Sequence, residues 1–247
     1  MQHIFLADVH LGAFHEEKNN RLEKSLIQLI DYCETNSIQI HLLGDLFDYW
    51  MEYKNYTPPL GKGLLTRFKE YNKTFNSLFI TGNHDFWTSG HFDDTGFRTE
   101  PEYSTIQLGE KKILLFHGDG LSNPGFKIPR PFLNSVIRKP WFVTLFQYIL
   151  SGEAGNHFMK IFSEFTRDEE LVPDKLSAWA EKFLSESEFN AVITGHDHVP
   201  RIETFDGGLY INPGAYHQFG TLAFYTNNMF KIVVWNSERN QFLPFAD

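Results

Sequence analysis

Acidic and imidazole side chains gather at five points of the 247-residue chain, each after an apolar run. The segments are Ala7-Asp8-Val9-His10, Gly44-Asp45-Leu46-Phe47-Asp48, Gly82-Asn83-His84-Asp85, His117-Gly118-Asp119 and Gly195-His196-Asp197-His198. In an extended chain residues i and i+2 point to the same side. Asp8 with His10, and His196 with His198, can therefore each present two donors to one place. The set mixes imidazole nitrogen, carboxylate oxygen and the amide oxygen of Asn83, with no thiolate. That mixture suits Mn, Fe or Zn better than a bare Mg or Ca site, with manganese preferred. Gly-Asp after a strand is by itself usually a plain turn. Five such ends that converge on one edge are expected to hold two divalent metal ions, with Asp45 bridging them. Two cations so placed acidify a water between them.

The elements that must position these residues follow from the apolar pattern. Ile4 to Ala7 reads as a strand, Glu16 to Cys33 as an amphipathic helix, and Ile38 to Leu43 as a buried strand. The opening is thus βαβ, which places two parallel strand ends, and with them Asp8 and Asp45, at one edge. Leu60 to Tyr71 suits a helix and Ser77 to Thr81 a third strand. Tyr103 to Leu108 and Lys112 to Phe116 form a hairpin about Gly109-Glu110. Residues 121–172 read as helices inserted into the domain. Pro173 to Ser187 is a further helix, and Phe189 to Thr194 is the strand that delivers His196 and His198. The remainder alternates as antiparallel strands over Arg201 to Phe205, Leu209 to Ile211, Thr221 to Tyr225 and Phe230 to Trp235, with a turn at Asp206-Gly207-Gly208.

Composition narrows the function. With 42% hydrophobic and 21% charged residues the chain suits one large globular domain over 1–247. A formal net charge of −9 opposes nucleic acid as a partner, because phosphate backbones need clustered Lys and Arg. Cys33 is the single cysteine, so no internal disulfide can form and a reducing, cytoplasmic compartment is expected. The first strand begins almost at Met1, so a cleaved leader would remove Asp8 and His10. Trp141 to Leu150 is too short to span a bilayer.

Between Leu121 and Gly152 there is no Asp or Glu, yet Lys127, Arg130, Arg138 and Lys139 are present, interleaved with Phe126, Phe132, Trp141, Phe142, Phe146 and Tyr148. A basic, aromatic, helical element beside a metal site suits an anionic substrate with an acyl tail, or an anionic membrane surface. An ordinary packed insertion with solvated charges is the alternative. Arg138, Lys139 and Trp141 are the substrate-contact candidates.

In full and in order, the five motifs resemble the calcineurin-like metallophosphoesterases, over Ile4 to Gly214. The resemblance implies a four-layer α-β-β-α sandwich of two mixed β-sheets flanked by helices, with the helical insertion over the active site. It implies one metal on Asp8, His10, Asp45 and His198, and a second on Asp45, Asn83, His117 and His196. It further implies a catalytic His84, held protonated by Asp48, that serves the leaving oxygen. Asp85 and Asp119 then support the ligands, and Asn212-Pro213-Gly214-Ala215 is a structural loop. Within that superfamily the insertion, Lys139-Pro140-Trp141 and Gly44-Asp45-Leu46-Phe47-Asp48-Tyr49-Trp50 resemble the UDP-2,3-diacylglucosamine hydrolases of lipid A biosynthesis. That likeness implies an acylated nucleotide-sugar substrate cleaved to UMP and 2,3-diacylglucosamine 1-phosphate at the cytoplasmic face of the inner membrane. One departure is His84, where many members of that subgroup carry arginine. Hydrolysis of a soluble nucleotide or phosphoprotein is the alternative reading.

Overall fold

The computed structural model describes residues 1–88, 90–166 and 173–245. In chain order the elements are β1 (Gln2–Leu6), α1 (Glu16–Thr35), β2 (Ile38–Leu43), α2 (Lys62–Tyr71), β3 (Leu78–Ile80), α3 (His91–Asp94), β4 (Arg98–Glu100), β5 (Tyr103–Leu108) and β6 (Lys111–Phe116). There follow α4 (Phe132–Ile137), α5 (Pro140–Ile149), α6 (Gly152–Thr166), α7 (Pro173–Glu186), β7 (Ala191–Ile193), β8 (Arg201–Phe205), β9 (Gly208–Asn212), α8 (Tyr216–Phe219), β10 (Thr221–Thr226), β11 (Met229–Asn236) and β12 (Gln241–Pro244).

Two mixed sheets result, with strand orders β12-β11-β10-β1-β2-β3-β4 and β5-β6-β7-β9-β8. In the first, β1, β2 and β3 are parallel neighbours, registered by Gln2 opposite Ile38 and His41 opposite Leu78. In the second, β6 and β7 are parallel neighbours. Every residue of β2 is buried, as a parallel strand covered on both faces requires. The sheets pack through Phe5, Leu43 and Ile80 from one and Ile113, Leu115, Ile193 and Ile211 from the other.

Helices close the outer faces. α1 turns Leu26, Leu29, Ile30 and Cys33 inward at i, i+3, i+4 and i+7, onto Ile4, Ile40 and Phe79. The helix starts at His15, whose Nδ1 accepts from Lys18 N, and Glu16 and Glu17 favour the positive end of its dipole. α7 sets Leu176, Ala180 and Leu184 on Leu114, Phe116 and Val192 of the second sheet. The layer order is therefore α-β-β-α, as the motif resemblance implied. The βαβ opening and the five candidate strand ends also stand where the apolar pattern puts them.

Two strands lie outside the sequence expectation. β4 and β12 extend opposite edges of the first sheet, and with three and four residues they are too short for alternation to show. The expected helical insertion is seen as α4, α5 and α6, and its last residues, 167–172, fall outside the described part. α5 and α6 pack on the loops after β2 and β3 through Met51, Trp87, Phe142, Phe146 and Met159.

Candidate metal centre

The strand ends hold unusual backbone. Asp8, His10, Asp45, His196 and His198 have φ of +53°, +49°, +54°, +73° and +63°. Each such non-glycine residue costs about 1–2 kcal/mol, and strain of this kind collects at functional sites. The surrounding chain enforces it, since Val9 N and His10 N both donate to Asp45 O at 2.9 Å. Two glycines make room. A Cβ on Gly82 would stand 2.0 Å from Asp45 Oδ1, and one on Gly44 would stand 2.5 Å from His117 Nδ1. The glycines before the polar residues are thus close-approach positions, where neighbouring loops press together.

The side chains converge. Asp45 Oδ2 lies 3.2 Å from His117 Nε2 and 3.7 Å from His10 Nε2, so one carboxylate oxygen faces donors from two different strand ends. Asp8 Oδ1 is 3.6 Å from His198 Nε2, while Asp8 Oδ2 accepts from His196 N at 2.9 Å. Asn83 Oδ1 is 3.0 Å from His117 Nε2. Asp8, His10 and His198 offer ligand atoms within 4.8 Å of one another, and so do Asp8, Asp45 and His117. The structure brings all seven expected ligands to one locus between the two sheets.

Divalent cations fit these residues. Asp8 Oδ1 and His10 Nε2 are buried with no hydrogen-bond partner, a costly state that a cation relieves. Burial opposes the charge of Asp45, but His117, His84 and His10 outweigh it and hold its carboxyl well below the usual carboxylate range. Burial also disfavours the His117 imidazolium, yet Asp45 and Asp8 push its pKa up to about 10. The clustered carboxylates thus demand positive charge, and on the metal-free protein a proton on His117 supplies some of it.

A second ring of contacts fixes the donors. His117 Nδ1 donates to Leu43 O at 2.8 Å, so the added proton sits on Nε2 toward Asp45, and Nε2 is the nitrogen that would offer a lone pair to a cation in place of that proton. His10 Nδ1 meets Asp48 Oδ1 at 3.2 Å. Asp85 accepts from Leu46 N at 2.7 Å and Gly82 N at 2.8 Å, tying the second and third loops together, and burial followed by the Asp45 charge pushes its pKa up to about 6. Behind His196 and His198, Asn212 donates to Gly195 O at 2.8 Å and to Asp197 Oδ1 at 2.6 Å, and Gly214 N donates back to Asn212 Oδ1 at 2.8 Å. That is the physical content of the Asn212-Pro213-Gly214 loop.

His84 reaches Asp48 by an unexpected route. Its Nδ1 lies 2.8 Å from the Asp48 backbone oxygen, which can only accept, so Nδ1 carries the proton of that bond. The Asp48 carboxylate instead meets His10 Nδ1 and accepts from Ser163 Oγ at 2.8 Å, with Ser163 Oγ also 3.2 Å from His84 Nδ1.

The three substrate-contact candidates lie away from the cleft lining. The cleft, about 530 Å³, is floored by His10, Asp45, Asn83, His84, His196 and His198. Its walls include Ile128, Pro131, Leu133, Ile137, Met159 and Phe162 from the insertion, with Asn134, Ser163 and Lys175 as polar members. Arg138 turns inward, bonded to Asp119 and Gly82; Lys139 caps α5 from the surface, and Trp141 faces solvent. Sequence reasoning missed Ser163, although its spacing from Met159 on α6 put a polar residue on an apolar helix face. It also missed His217, whose Nδ1 is 2.9 Å from Asp8 O and whose ring packs edge-on against His10 and His198.

A sequence model of the calcineurin-like phosphoesterases matches residues 1–200. A Coxiella burnetii (strain RSA 331 / Henzerling II) protein named UDP-2,3-diacylglucosamine hydrolase is 27% identical over 247 residues, covering 92% of this chain and 95% of that protein. A Vibrio parahaemolyticus protein of the same name is 26% identical over 212 residues, covering 83% and 85%. Among solved structures, a hypothetical protein from Pyrococcus horikoshii OT3 shares the fold with a TM-score of 0.51 at 12% identity, over 97% of this chain and 90% of that one.

Proposed function

The chain belongs to the calcineurin-like phosphoesterase family, and from that premise we propose that this hydrolase cleaves the pyrophosphate of UDP-2,3-diacylglucosamine. The products are UMP and 2,3-diacylglucosamine 1-phosphate. The relatives named for that activity support the reading, and one observation carries it: the cleft runs from the candidate metal ligands directly onto an apolar wall. A phosphate at the floor and acyl chains along Leu133, Ile137, Met159 and Phe162 would both be accommodated.

Asp8, His10, Asp45 and His198 would hold one divalent cation, and Asp45, Asn83, His117 and His196 the other, with manganese preferred for this donor set. When bound, the pair supplies positive charge to the phosphoryl oxygens and lowers the pKa of water. One water is consumed: its oxygen joins the uridylyl phosphorus as the bond to the bridging oxygen breaks, and that oxygen leaves on the sugar 1-phosphate. His84 lines the cleft with Nδ1 committed to Asp48 O, so Nε2 is the ring nitrogen available to the departing oxygen.

α5 supports contact with a membrane. Phe142, Val143 and Phe146 face the cluster that α5 and α6 share with Met51 and Trp87, while Trp141 (61% exposed), Leu145, Tyr148 (88%) and Ile149 form a second apolar face toward solvent. No helix among the described residues is long and apolar enough to cross a bilayer, so the reading is an interfacial helix with Lys139 at its start. The protein would work from the cytoplasm on an anionic membrane face.

His84 favours a second reading, since a histidine serves leaving groups beyond those suited to an arginine. Manganese-loaded protein is given UDP-2,3-diacylglucosamine in detergent, and bis(p-nitrophenyl) phosphate in a parallel assay, with Asp45→Ala as control. UMP release that vanishes in the control supports the lipid substrate. Cleavage of the soluble ester alone would replace it with a soluble phosphodiester.

A further inference from the structure

Arg138, the residue that ends α4, carries its charge into the protein. Its side chain is 10% exposed, and its guanidinium lies 4.5 Å over the Phe86 ring. One nitrogen, Nη2, donates at 2.8 Å to Gly82 O and at 2.8 Å to Asp119 Oδ2. These acceptors sit on two different loops. Gly82 immediately precedes Asn83, after β3 of the first sheet; Asp119 follows His117 by two residues, after β6 of the second. Asn83 Oδ1 and His117 Nε2 are themselves 3.0 Å apart. A single guanidinium from the insertion therefore ties together the two loops that present these donors.

The arrangement is demanding. A buried guanidinium loses its hydration, which Asp119 and two carbonyls, Gly82 O and Pro101 O at 3.3 Å, offset here. Its planar group serves the carboxylate and Gly82 O from Nη2 and Pro101 O from Nη1, with Nε buried and without a hydrogen-bond partner, whereas an ammonium is a single point donor. A surface anchor for the insertion would need none of this.

We propose that Arg138 is a positioning residue that builds the Asn83, His117 and His196 half of the metal pair, making the insertion a structural part of that half. The inference rests on the reading of the site as a pair of cations. Fixing the Gly82-Asn83 turn against the His117-Asp119 loop sets the distance between the Asn83 oxygen and the His117 nitrogen, and outer contacts of this kind govern metal affinity by about 10- to 100-fold. Order in the insertion and metal affinity at that half are then thermodynamically coupled, each strengthening the other.

The test titrates Mn2+ into the metal-free full chain, followed by calorimetry and by electron paramagnetic resonance. Wild type is expected to bind two ions and to show the spectrum of a spin-coupled pair. Arg138→Met should bind one ion with wild-type affinity and the other at least about tenfold more weakly. At two equivalents the coupled spectrum should give way to that of isolated Mn2+. Arg138→Lys keeps the charge beside Asp119 and should fall between the two. Unchanged affinities for both ions in folded variants would overturn the role of Arg138 while leaving the paired site intact. Equal weakening of both ions, or failure of both variants to fold, would overturn it as well, because the residue would then serve the fold at large. A wild-type protein that binds no second ion would instead remove the paired-cation reading.

Discussion

Oδ2 of Asp45 stands 3.2 Å from Nε2 of His117, across the seam between the two sheets. The same oxygen is 3.7 Å from His10 Nε2, so the charge of Asp45 is shared by both halves of the candidate centre. Asp45→Asn preserves shape and removes that charge. Both ions should be lost or weakened together, and turnover should fall by at least about 10³-fold. Elemental analysis of the purified variant checks this, and full occupancy by two metals would show that Asp45 does not bridge.

His84 is proposed to stand outside the ligand set, although its ring offers a donor atom within 4.8 Å of those of His10 and Asp48. Its N–H donates to Asp45 Oδ1 at 3.0 Å, an interaction of the backbone that survives removal of the ring. His84→Ala should therefore retain both metals while turnover drops by about 10²- to 10⁴-fold, as loss of a proton donor does. The loss should be smaller with a p-nitrophenolate leaving group, which needs no proton. Metal loss equal to that of Asp45→Asn would place His84 among the ligands instead.

The five strand ends were legible because an apolar run that stops at glycine and a polar residue is a local pattern, and the βαβ order is enough to bring Asp8 beside Asp45. The insertion was legible as helices and as basic, but not in its facing. Arg138 reads as a surface charge when only its neighbours are seen; its partner Asp119 lies 19 residues earlier and across a turn of the fold. Lys175 and Asn134 enter the cleft wall from separate helices, and nothing local marks them. His217 is equally a tertiary fact, since α8 delivers it to Asp8 from the far end of the chain.

Away from the centre, His3 Nδ1 and His41 Nε2 are 3.1 Å apart, their rings stacked at 5.3 Å within the packing of β1 on β2. Burial, then the nearby terminal amine, lowers the His3 pKa to about 4; burial, then His3 and Arg98, lowers that of His41 to about 3. The folded pKa values lie below the unfolded value near 6.5, so the unfolded chain binds more protons on acidification. The stabilising contribution is complete above about pH 6.5 and declines as the pH falls toward about 4 and then 3. His41→Phe keeps the stack on Phe5 and should flatten this decline. Urea unfolding of both proteins at pH 7.5, 6 and 5 measures it; parallel curves would mean that the pair does not titrate with folding.

α5 has an inward and an outward apolar face, so stability and the proposed surface binding are tested separately on one helix. Phe146 packs on Trp87 with ring centres 5.0 Å apart, whereas Trp141 and Tyr148 contribute an outward face. Phe146→Ala should cost about 2 kcal/mol, a part-buried aromatic deletion. Trp141→Ala with Tyr148→Ala should lower the melting temperature far less than Phe146→Ala, because most of the removed surface is already in water in the folded protein. The same double variant should bind several-fold less to vesicles of equal phosphatidylcholine and phosphatidylglycerol, since each exposed ring removes interfacial apolar area. Co-sedimentation reads the result directly. Wild-type binding by the double variant would leave the outer face of α5 without a membrane role, and raised salt then distinguishes whether attraction through Lys139 remains.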